Sequence, residues 1–112
     1  MSTRQIERNQ WQGYFETASR HLEATNVDVE VAGLDLGHQV EANHIPLEGL
    51  TYDPHDDAFS IVCQGLEHRV VHPTRIAVQE EDNRRIRAVE IIDADGHKHV
   101  ARLTRALALP EG

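Results

Sequence analysis

Between Asn9 and Leu22 the apolar positions fall on a helical period. Trp11, Tyr14, Phe15, Ala18 and Leu22 follow the i, i+3, i+4, i+7, i+11 spacing, so they line one face of an amphipathic helix. Asn9 stands where an N-cap is wanted, and Gln12 three residues on completes a capping-box pattern. After Asn26 the period drops to two. Val27, Val29 and Val31 alternate with Asp28 and Glu30, the signature of a strand with one wet face. "GLDLG" then reads as a loop, and residues 38–43 return as a strand with Val40 and Ala42 on one side. Further short strands are predicted at 50–53, 58–64, 67–72 and 76–79, separated by Pro54, Gly65 and Pro73.

The last pair of strands makes the best-defined hairpin. Asp95-Gly96 suits the two central positions of a type I′ turn, where both residues take positive φ. That register sets Asp93 opposite Lys98, Ile92 opposite His99 and Ile91 opposite Val100. The pattern as a whole predicts an α+β, mainly β domain. A helical segment over residues 1–26 precedes six or seven short antiparallel strands over 27–103, with a tail over 104–112. A sheet of so many short strands curls or closes to remove its edges, which points to a small, partly open β-barrel.

Composition narrows the picture. The chain's 112 residues fit one domain, and with 39% apolar and 4% aromatic residues its core must be built from Val, Ile, Leu and Ala. Such a core is lean, and contact with a second chain would support it. A net charge of −8 repels a polyanion and argues against nucleic acid as the main partner. The basic run Asn83 to Arg87 follows directly on Glu80, Glu81 and Asp82, which offset its field. With Cys63 as the single cysteine, no intrachain disulfide can form. It lies in "FSIVCQ" on the strand face of Phe59 and Ile61, so it is expected to be buried and inert. The N-terminal residues lack a signal-type apolar stretch, and no segment has the length of a membrane span. The expected location is the cytoplasm, away from membranes.

Taken together, "RNQWQGYFETASR", "PLEGLTYDPHDDAFSI", "HPTRI" and "IIDADG" resemble a bacterial family of unknown function of about this length, from the helix to the last hairpin. The resemblance carries no catalytic residues to transfer. More distantly, the barrel plan is similar to the PRC-barrel, a module found in a ribosome maturation factor and a photosynthetic reaction-centre subunit. That likeness implies a binding or assembly role.

Candidate chemistry rests on eight histidines, which outnumber the five aromatics. His97 and His99 share one strand face, about 7 Å apart along the backbone, and Glu90 sits diagonally across the hairpin from His99. His68 and His72 flank Val70 on another strand. Zinc needs three or four converging ligands, and the sequence alone does not bring the two pairs together. Asp53, Asp56 and Asp57 in "YDPHDD" lack the alternating oxygens, glycine and distant glutamate of a calcium loop, so they read as an acidic turn. There is no phosphate loop, nucleophile elbow or local Cys/His motif. The sequence therefore points to a non-catalytic binding and assembly module without a cofactor. It would join a protein partner or a second copy in a two-fold dimer, with Trp11 and Phe15 as interface anchors. The alternative is a histidine-based metal-binding protein or metalloenzyme that draws on His97, His99, Glu90, His68 and His72.

Overall fold

The structure is a computed structural model, and it describes residues 2–20, 24–35, 37–81 and 85–108. The chain opens with a strand, β1 (Ser2–Ile6), before its helix. A 3-10 turn over Arg8–Gln10 leads directly into α1 (Trp11–Arg20). Asn9 lies inside that turn. Its cap position is Glu7, which makes no side-chain cap bond, so the expected Asn9 capping box is not formed. The apolar stripe behaves as its period requires. Trp11, Phe15 and Ala18 are buried, Tyr14 is partly buried, and Leu22 lies outside the described residues.

The remaining strands are β2 (Asn26–Gly33), β3 (Gly37–Asp53), β4 (Ala58–Cys63), β5 (Leu66–Val71), β6 (Pro73–Glu80), β7 (Arg85–Asp93) and β8 (Lys98–Ala108). All eight form one antiparallel sheet in the order β1-β6-β7-β8-β2-β3-β4-β5. This corrects two expectations: the domain does not begin with its helix, and its sheet does not close into a barrel. β1 and β5 end the strand order without pairing to each other. β1 escapes sequence patterning because it is polar, with only Ile6 buried. The ladder to β6, and the bond from Arg4 Nε to Glu80 Oε1 (2.6 Å), hold it in place.

What looks like two short strands around "HIPLEG" is one strand of 17 residues. Its first half pairs with β2 and its second with β4. Pro46, which has no N–H to donate, sits at the changeover: it faces Asn26 on the last rung toward β2, and Leu47 begins the rungs toward β4. Register shifts and the positive φ of His44 (54°) bend the strand there. The bend folds β4 and β5 across the inner face of the remaining strands. Phe59 of β4 meets Phe15 edge to face with ring centroids 4.8 Å apart. One core forms between the layers, with α1 covering its open side.

Cys63 sits in that core at 2% exposure, and burial pushes its thiol pKa up, with a smaller push from Glu48. Native protein should therefore react with a thiol reagent over hours, and fully only on denaturation. Complete labelling of folded protein within seconds would contradict this.

The final hairpin departs from the predicted turn. Among its tip residues only Gly96 has positive φ (84°), so Asp95-Gly96 is not the centre of a type I′ turn. Asp93 O accepts from Gly96 N (3.0 Å), and Asp93 N donates to His97 O (3.1 Å), which makes a three-residue turn with Gly96 in the left-handed position. Asp93 Oδ1 also accepts from the backbone N–H groups of Asp95 and His97, both at 2.9 Å. The longer turn slides the register by one, so Ile92 faces Lys98, Ile91 faces His99 and Glu90 faces Val100. The expected Asp93–Lys98 pair does not form; Lys98 Nζ reaches Glu90 Oε1 instead (2.9 Å).

Candidate functional site

That one-residue slide determines where the histidines go. Opposite Ile92, His99 would share the outer face with Glu90. Opposite Ile91, which is fully buried, it joins the inner face, and its own exposure is 7%. There it meets His68, which β5 carries across from the other layer. His68 Nε2 lies 2.9 Å from His99 Nδ1. On its other side His99 Nε2 lies 2.9 Å from Asp93 Oδ2.

The donor roles follow from Asp93. An ionised carboxylate only accepts, so His99 carries a proton on Nε2, and in the neutral ring its Nδ1 is then an acceptor. His68 must then donate from Nε2, which leaves its Nδ1 as the lone-pair end. Burial alone would raise the Asp93 pKa. The hydrogen bonds from His99 and from the backbone of His97 and Asp95 outweigh it and hold the carboxyl below its ordinary value. For His68, burial and then the neighbouring His99 push the pKa down, while Glu41 opposes them, so His68 favours its neutral form.

His97 extends the chain outward. Its Nε2 lies 2.7 Å from Asp35 Oδ1, and its Nδ1 stands 3.5 Å from Asp93 Oδ2. The hydrogen bond to Asp35 raises its pKa, partly opposed by burial and aided by the charge of Asp93. Gly33 makes room for the ring: a Cβ there would come within 2.4 Å of His97 Cδ2. Nothing in the residue pattern around Gly33 pointed to this role. The result is a line from Asp35 through His97, Asp93 and His99 to His68, joining the β2–β3 turn, the last hairpin and β5.

The other sequence candidates go elsewhere. Glu90 lies on the outer face with Lys98. His72 has positive φ (56°) and bonds Asp57 through Nδ1 (3.2 Å), away from His68. Asp57 also accepts from the Tyr52 hydroxyl (2.6 Å) and from Arg8 (3.2 Å), while Asp53 Oδ1 accepts the backbone N–H of His55 (2.9 Å). These acidic oxygens tie down a turn. Trp11 and Phe15, at 1% and 0% exposure, face the core of their own chain.

The His68–His99 separation suits one shared proton, and an ion would have to displace it. Asp93, Asp95 and His97 bring ligand atoms within 4.8 Å of one another, but both oxygens of Asp93 already accept the bonds described above. Three surface clefts, of about 410, 470 and 180 Å³, are lined by residues outside the histidine–aspartate line. No described helix is long and apolar enough to cross a membrane.

The fold and site thus define a small open-sheet β domain with an internal line of histidines and carboxylates. The chain belongs to a family of unknown function, DUF5335, whose profile matches residues 2–112. It is 40% identical over 112 residues to an uncharacterized protein of Aquifex aeolicus (strain VF5), an alignment spanning 99% of this chain and 100% of the relative. No solved structure matches the chain, so the PRC-barrel likeness finds no support there.

Proposed function

We propose that this chain is a non-catalytic assembly module that associates with a second copy by strand addition at an open edge of its sheet. The observation that carries the reading is the strand order itself: among the described residues β1 and β5 each pair on one side only, so each presents a row of unpaired backbone groups. Strand addition meets that backbone demand, and side chains along the edge select the partner. The lean aliphatic core favours association too, since burial against another chain adds to a small domain's stability. The histidine–aspartate line supports a structural role, because its members turn their polar atoms toward one another.

Size-exclusion chromatography with light scattering checks this. The mass should rise with micromolar concentration from the 12.7 kDa of one chain toward twice that value. A constant 12.7 kDa across that range would contradict the proposal.

A further inference from the structure

The two open edges are not alike. β1 offers Ser2, Thr3, Arg4 and Gln5, all exposed and polar, and Arg4 is engaged with Glu80 and stacked over the Tyr14 ring. The one charge on this edge is therefore already committed within its own chain. β5 reads Leu-Glu-His-Arg-Val-Val, with Leu66 37% and Val71 50% exposed at its two ends.

Its hydrogen-bonding direction follows from the turn before it. Gln64 and Gly65 (φ 78°) make a two-residue turn, so Cys63 and Leu66 form a hydrogen-bonded pair. By alternation the backbone groups of Leu66, His68 and Val70 point to β4, and those of Glu67, Arg69 and Val71 point to the free edge. In the side-chain direction Glu67 and Arg69 share one face, opposite Val62 and Ser60 of β4, while His68 and Val70 turn inward.

Resting on the assembly reading above, we infer that the second copy pairs through β5 itself, antiparallel, with His68 on the two-fold axis. That register places Glu67 of each copy directly opposite Arg69 of the other, and these are the residues whose backbone groups face the free edge. It forms two symmetric cross-strand ion pairs. It also sets Leu66 against Val70 of the second copy. Moving the axis to Arg69 would instead face two arginines and lose both pairs. Both side chains are exposed and can make the contact. Arg69 holds only a long bond to Asp56 (3.3 Å) within its own chain, and Glu67 has no ion-pair partner among the described residues.

Charge exchange tests the register. Glu67→Arg and Arg69→Glu should each weaken self-association roughly tenfold or more, because two attractive pairs become repulsive. The double variant E67R/R69E should restore it to near the wild-type value. An equimolar mixture of the two single variants should associate as well as wild type, since each supplies what the other lacks. Circular dichroism and melting temperature confirm that every variant is folded. Single variants that associate like wild type, or a double variant as weak as either single, would overturn the β5 register while leaving assembly through another edge. Wild-type protein that never associates would remove the assembly reading and this inference together.

Discussion

Replacing Phe15 by alanine should lower the stability of the domain by about 3–5 kcal/mol, the usual cost of emptying a large aromatic site in a core. The ring is fully buried and packs edge to face on both Phe59 and Tyr14, with centroids 4.8 and 5.0 Å away. Few other large side chains are present to refill the space in a chain with five aromatics. Urea denaturation followed by circular dichroism measures the effect, at concentrations low enough for one-chain species. Glu16→Ala on the exposed side of α1 breaks only the surface pair with Arg20 and should cost below about 1 kcal/mol. A Phe15→Ala loss as small as that would place the ring outside the monomer core and return it to the role of interface anchor.

Asp93→Ala should cost about 2–4 kcal/mol, because three donors lose their acceptor at one stroke: the backbone N–H groups of Asp95 and His97, and His99 Nε2. Asp93→Asn should cost less. An asparagine oxygen still serves the two backbone donors, and its amide can donate to His99 Nε2. His99 would then carry its proton on Nδ1 and donate to His68, so the two bonds from residue 93 through His99 to His68 reverse direction. Imidazole ¹⁵N spectra distinguish the two states. Wild-type His99 should carry its proton on Nε2 and the Asn variant on Nδ1; the same tautomer in both would refute the assigned direction.

The line also sets an acid response with two steps. The folded His68 pKa is depressed, so the unfolded chain takes up that proton first. Stability present above about pH 6.5 is lost as pH falls from there toward the folded value. Asp93, also depressed, stabilises above about pH 4 and loses its contribution as pH falls through its folded pKa. His97 has the opposite sign. Its raised pKa contributes fully below about pH 6.5 and fades as pH rises through the folded value. Comparing wild type with His68→Gln between pH 7.5 and 5.5 isolates the first step, since His97 contributes equally to both. The variant should lose less stability on acidification; an equal loss would mean that His68 does not titrate as assigned.

Elements whose burial follows a simple period were legible in the sequence. Trp11, Phe15 and Ala18 line the helix face, and Val27, Val29 and Val31 line the inner face of β2. β1 was illegible because an exposed polar edge strand leaves no alternation to read. β3 looked broken because Pro46 and Gly49 punctuate it, and only the changeover between two ladders explains why the strand continues through them. The hairpin register turned on the Asp93 side chain, which stabilises a longer turn than Asp95-Gly96 suggests. At the site, the sequence supplied the histidines but paired His97 with His99 and Glu90. The bond that matters joins His68 to His99, 31 residues apart, and exists only because β3 folds one layer onto the other.

Amide hydrogen exchange at two protein concentrations tests assembly through the β5 edge most directly. The amides of Glu67 and Arg69 point to the free edge and have no ladder partner among the described residues of their own chain. In concentrated protein they should be protected as strongly as the amides of Leu66, His68 and Val70, and on dilution they alone should lose that protection. Rapid exchange at Glu67 and Arg69 that is the same at both concentrations would contradict the account.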